Sequence, residues 1–127
     1  MKTQELYVSV KTASDKFKEA LAFPDTEPMR ESLIQRFEYT FELAWKLMSS
    51  ILNDQSINTY GVKNIIREAA RLGLIDSPEK WFEFALARNK ASHIYKEDVA
   101  KETVKTARTG FFEAVNSLLQ KADEYSK

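Results

Sequence analysis

The segment Arg88-Asn89-Lys90-Ala91-Ser92-His93-Ile94-Tyr95 gathers the side chains with the most chemistry to offer. His93 is the one histidine of the chain, and imidazole is the side chain that takes and gives a proton near neutral pH. Five residues earlier, Arg88 offers a planar, permanently charged fork for phosphate oxygens and can stabilise charge developing on a phosphoryl group. Such a pair can cleave RNA without a metal by assisting attack of the ribose 2′-hydroxyl, with Asn89 orienting either His93 or the substrate. Helical geometry sets a condition. At ~100° per residue, positions five apart lie about 140° apart in azimuth, so Arg88 shares a face of an unbroken helix with Tyr95 but not with His93. The three converge only where the helix loosens near Ser92-His93, or where a second subunit supplies the missing group. A plainer reading also stands: a histidine near a helix end complements the helix dipole, and an arginine beside it is surface charge.

The surroundings of this segment are basic. Residues 86–108 carry six basic and three acidic side chains, in a chain whose nineteen basic residues balance nineteen acidic ones. Lys90 lies within the segment, and Lys101, Lys105 and Arg108 recur on one face of a helix, a row suited to RNA phosphates or simply to solvent. A neutral chain has little long-range attraction for nucleic acid or anionic membrane, so any such contact must come from a local patch of this kind. Other chemistries lack their parts. Neither Gly-x-Gly-x-x-Gly, nor a phosphate loop, nor a Gly-x-Ser-x-Gly elbow occurs. With no cysteine and one histidine, a metal would have only carboxylates left to recruit, and neither a metal nor another cofactor is expected. Glu31, Glu38 and Glu42 read most simply as a solvated face, with Lys46 four residues beyond Glu42 as an ordinary ion-pair partner. Trp45, Trp81, Phe82 and Phe84 either line a small-molecule pocket or, at helical spacing, form core or dimer interface.

The elements that must position these residues are helices. Glycine and proline together number six, where an average chain of this length carries about 15, at roughly 12% of residues. With 127 residues, 43% hydrophobic and 12% aromatic, the chain is expected to form one domain over residues 1–127 with a real core. Leu6, Val10, Ala13, Phe17 and Leu21 share a face only in a helix, which should end near Phe23-Pro24. Asp25-Thr26-Glu27-Pro28 reads as the start of a second helix. That helix is apolar on more than one side, from Leu33 through Ile51, and so should be central. A third follows in VKNIIREAARLGLI, closed by Gly73. Ser77-Pro78-Glu79 opens a fourth, EKWFEFALARNKAS. A long last helix from Glu97-Asp98 carries Ala100, Val104, Ala107, Phe111, Val115, Leu118 and Ala122. Gly110 falls inside it at a cost of ~1 kcal/mol, either tolerated at the surface or marking close helix approach. The expected fold is all-α, an antiparallel up-and-down bundle of four to five helices. The amino-terminal MKTQELYVSVKTASDKF lacks the apolar run of a secretory signal, and no stretch reaches the ~18 apolar residues of a membrane span. Absence of cysteine fits a reducing cytoplasm.

At the motif itself the sequence resembles a known group. Arg88-Asn89-x-x-x-His93 is similar to the Arg-polar-x-x-x-His signature of the HEPN superfamily, and Arg88-x4-His93-x-Tyr95 resembles its HepT toxin branch. RFEYTFELAWK (36–46), IIREAARLGLI (65–75) and Trp81 followed by ALARNKASHIY resemble the nucleotidyltransferase substrate-binding protein family, in order along essentially the whole chain. Ile94 stands where a threonine or another polar residue is common. The resemblance implies a helical bundle that forms a homodimer and partners a small, separately encoded minimal nucleotidyltransferase. In HepT-like pairs the helical protein is a toxin, a metal-independent RNase, and the nucleotidyltransferase is an antitoxin that can transfer AMP to the motif tyrosine. By position, this implies catalytic Arg88 and His93, an accessory Asn89 and an AMP acceptor at Tyr95. The substrate-binding branch carries the other implication, a subunit without chemistry that presents a substrate to the nucleotidyltransferase.

Overall fold

A computed structural model describes residues 2–126; the ends of the expected domain, residues 1 and 127, lie outside the described residues. Six helices follow one another: α1 (Thr3–Ala20), α2 (Glu27–Asp54), α3 (Val62–Leu72), α4 (Pro78–Lys90), α5 (Glu97–Arg108) and α6 (Phe111–Ala122). Short 3-10 turns follow α4 at Ala91–His93 and α6 at Asp123–Tyr125. No strand occurs among the described residues, and the all-α bundle is the expected class.

Local chemistry sets the boundaries. Thr26 caps α2 by accepting from the Met29 backbone N–H at 3.4 Å, with Pro28 in the first turn. Ser77 caps α4 in the same way, accepting from Lys80 N–H at 3.4 Å beside Pro78. Gly73 closes α3 in the left-handed region at φ 89°. Two bonds tie off that end, Leu74 N–H to Ala69 at 2.9 Å and Gly73 N–H to Ala70 at 3.1 Å.

One expectation needs correction. The long last helix is two helices, because Gly110 adopts φ 88° and breaks the chain between α5 and α6. An added Cβ at Gly110 would meet only Lys80 Nζ at 3.6 Å. Glycine is therefore needed for its backbone conformation, and neither surface tolerance nor close helix approach describes it.

Helix α2 packs against α1, α3, α4 and α5, while α6 returns onto α1, which makes α2 central as its wide apolar face suggests. Side chains from all six helices meet in a continuous core. Its centre is aromatic. The Phe111 ring lies 4.7 Å from Phe37, 5.0 Å from Phe84, 5.2 Å from Phe17 and 6.2 Å from Trp81, between centroids, each edge-on. Such edge-to-face pairs contribute about 0.5–1.5 kcal/mol each beyond simple burial. The break at Gly110 is what lets the next residue, Phe111, enter this hub.

Candidate functional site

Helix α4 presents the motif. Trp81, Phe84 and Ala87 bury one side of it, and that phase leaves Arg88 half-buried against α2. Its Nη1 lies 2.8 Å from Glu42 Oε1, and its guanidinium carbon lies 5.7 Å from the Phe41 ring centroid. The two charged side chains are 30% and 32% exposed. Trp45 Nε1 donates to the other Glu42 oxygen at 3.2 Å. The ion pair is close but not aligned as a hydrogen bond: Glu42 Oε1 and Arg88 Nε are both buried without a hydrogen-bond partner among the described residues. Glu38, one turn earlier on α2, completes the group. Burial pushes its carboxyl above the usual range; the Arg88 charge pulls it back and Glu42 adds to the rise.

The condition set by helical geometry is met in part. Helix α4 ends at Lys90 and the chain tightens into a 3-10 turn over Ala91–His93, closed by Lys96 N–H to His93 O at 3.1 Å. That turn swings His93 into solvent, its ring 6.2 Å from that of Tyr95, which is 76% exposed. His93 and Tyr95 are thus brought together. Arg88 turns the other way, to α2, and no hydrogen bond joins it to His93 among the described residues. Asn89, exposed, borders a groove between α3 and α4 together with Arg88.

The basic row divides. Lys90 is exposed near Glu83 and Glu102. Lys101 pairs with Glu97 at 3.1 Å on its own helix. Arg108 is committed to architecture: Nη1 donates to Leu21 O at 2.9 Å and Nη2 to Phe23 O at 3.3 Å, which ties α5 to the carbonyls beyond α1. Lys101, Lys105 and Arg108 still face one depression of about 440 Å³, shared with Arg30 and Asp25. The Arg30 guanidinium donates to Asp25 at 2.9 Å and holds that carboxyl below its usual range.

Of the four aromatics, Trp81 and Phe84 are core, Trp45 is half-buried on Glu42, and only Phe82 reaches the α3–α4 groove. Two features escape the sequence. Local spacing assigns Glu42 to Lys46, but Glu42 pairs instead with Arg88. The Arg67 guanidinium lies over the Phe82 ring, 5.6 Å from its centroid. The available signal for the first is the position of Glu42, one residue after the buried Phe41. Among the described residues, no group of three or more His, Cys, Asp or Glu is placed to hold a metal ion, and no helix is long and apolar enough to cross a membrane.

Comparison with known proteins gives this geometry its relatives. A Haemophilus influenzae protein named probable ribonuclease HepT is 43% identical over 72 residues, 53% of this chain and 49% of that protein. The chain thus spans about half the length of the curated relative it matches. A crystal structure from Thermus thermophilus superposes with a TM-score of 0.81 at 25% identity, covering 88% of this chain and 97% of the other. A second structure, from Haemophilus influenzae, gives 0.72 at 27% identity over 95% and 96%. It is described as revealing the fold of a substrate binding domain of a nucleotidyltransferase. Residues 5–124 match the family described as nucleotidyltransferase substrate binding protein like, and the chain belongs to that family.

Proposed function

We propose that this member of the nucleotidyltransferase substrate-binding protein family is the helical partner of a separately encoded minimal nucleotidyltransferase, and is itself a metal-independent endoribonuclease neutralised by that partner. One observation carries the reading: immediately after Arg88, the helix gives way to a 3-10 turn that exposes His93 in the stretch that resembles the HepT signature. The identity to a probable ribonuclease HepT supports it. In this reading His93 takes the proton of a ribose 2′-hydroxyl, and the resulting oxygen attacks the adjacent phosphorus. The bond to the 5′-oxygen breaks, leaving a cyclic phosphate. Arg88 stabilises the charge on the phosphoryl oxygens, and Asn89 holds His93 or the strand. Lys90, Lys101, Lys105 and Arg108 guide the phosphates. Because Arg88 faces α2 and His93 faces solvent within one chain, a homodimer completes the site with groups from both copies. The setting is the cytoplasm.

Purified chain, without partner and in EDTA, should cleave RNA. Arg88→Ala and His93→Ala should each abolish cleavage while leaving the thermal melt unchanged. Cleavage that persists in both variants would belong to a contaminant, and a folded wild-type dimer with no cleavage would remove the nuclease reading. Control by the partner would act at Tyr95, whose exposed hydroxyl attacks the α-phosphorus of ATP and expels pyrophosphate, placing an anionic, bulky group beside the motif. Incubation with ATP and the nucleotidyltransferase should add the mass of AMP, and Tyr95→Phe should prevent it.

A second reading is favoured by the Haemophilus influenzae structure's description as a substrate binding domain: a subunit that presents a substrate and does no chemistry. Ligand-dependent stabilisation by a small molecule, with no RNA cleavage, would select it.

A further inference from the structure

The open groove between α3 and α4 holds about 680 Å³ and is lined by three cations, Lys63, Arg67 and Arg88, around an apolar floor of Phe82, Ala85 and Leu86. Among the described residues no carboxylate lines it, although the chain carries as many acidic as basic residues. Leu86 is 56% exposed, so this floor is apolar surface left open to water. The Arg67 guanidinium stacks over Phe82, 5.6 Å from the ring centroid. Stacked guanidinium and aromatic planes are platforms on which nucleic-acid bases rest. Arg88 and Asn89 border the groove and belong to the segment that leads to His93. An occupant matched to these features has a flat apolar body and an anionic edge.

We infer that the α3–α4 groove seats one nucleotide of a single-stranded RNA, its base on the Arg67–Phe82 platform and its phosphate toward Lys63 and Arg88. This inference rests on RNA being the substrate, and it adds a subsite that fixes the strand beside the motif. Charge selects an anion over an uncharged peptide, and the stacked platform selects a base over an acidic side chain.

The test uses a dye-labelled 2′-O-methyl oligoribonucleotide, which lacks the attacking hydroxyl and cannot be cut, with binding read by anisotropy on the full chain. Lys63→Glu/Arg67→Glu should weaken binding by at least about tenfold and flatten the salt dependence by about 1.4 in log–log slope, as for two lost phosphate contacts. Lys11→Glu/Lys16→Glu on α1 makes the same change in net charge on exposed residues of a helix packed on α2 and α6, and should weaken binding far less. Phe82→Leu keeps an apolar floor and removes the ring; it should weaken binding several-fold even at high salt. Equal effects of the two charge pairs, or none from Lys63→Glu/Arg67→Glu, would overturn the groove. So would a groove variant that binds RNA normally but loses its dimer or its nucleotidyltransferase, which would make the groove a protein interface. Wild type that binds without cutting unmodified RNA would keep the groove and remove the nuclease. Wild type that cuts RNA, with Lys63→Glu/Arg67→Glu binding unimpaired, would remove the groove alone.

Discussion

Arg88 and Glu42 form a half-buried pair in which each charge depends on the other. Removing one partner strands the other in a desolvated position, whereas an exposed ion pair is worth little. Glu42→Ala takes the acceptor from both Arg88 and Trp45 Nε1, and should destabilise the protein by about 1–3 kcal/mol in urea unfolding. Glu42→Gln keeps an oxygen for Trp45 and removes the charge. If Glu42 positions Arg88, that variant should fold normally and cut RNA about 10- to 100-fold more slowly, because a misplaced catalytic group costs that much. Unchanged turnover would confine Glu42 to structure. Glu38 carries a pH-dependent test. Its carboxyl is raised mainly by burial, so ionising it opposes folding: the contribution is absent below the ordinary carboxylate range and grows as pH rises through the raised value. Glu38→Gln should therefore raise the melting temperature at pH 7 and leave it unchanged near pH 3. An equal shift at both pH values would exclude titration as the cause. The chemistry of Arg88 and His93 is legible from residue type and spacing. The Glu42 contact is not, because a partner on another helix leaves no local trace, and Lys46, one turn along the same helix, satisfies the local rule.

Helix boundaries are legible wherever a side chain or a ring fixes them. Thr26 with Pro28, Ser77 with Pro78, and Gly73 mark three ends, and the structure closes the helices there. The break at Gly110 is hidden for a physical reason. Ala107, Phe111 and Val115 are spaced by four, so apolar periodicity runs straight through it. Arg108 in the last turn of α5, followed closely by glycine, is the helix-stop signal that periodicity overrides. Because Gly110 sits at φ 88° with room for a Cβ, Gly110→Ala should cost about 1–2 kcal/mol through backbone strain alone. Phe111→Ala, by emptying the aromatic hub, should cost about 3–5 kcal/mol. Urea midpoints for the two variants check the ranking; an equal or larger loss at Gly110 would mean that the break also sets the packing of α6.

At the scale of the molecule, the site is divided by the fold itself. Helix α2 runs through the centre of the bundle and draws Arg88 inward to Glu42, while the 3-10 turn after α4 turns His93 and Tyr95 outward. A bundle wall cannot present both groups to one phosphate unless a second wall faces it. Two copies related by a twofold axis supply that wall, and a twofold dimer places equivalent surfaces against each other. If each site takes Arg88 from one copy and His93 from the other, the two inactive variants should rescue one another. A dimer of Arg88→Ala with His93→Ala then has one intact site of two. Random exchange makes half of the dimers mixed, so an equimolar blend should recover about a quarter of wild-type cleavage. The recovery should appear only after the subunits have been allowed to exchange, and a blend assayed before exchange is its control. No recovery after exchange has been verified by mass would remove a shared site of this kind. Arg88 would then have to leave Glu42 and reach His93 within its own chain, and Glu42→Gln, which weakens that hold, should in that case accelerate cleavage.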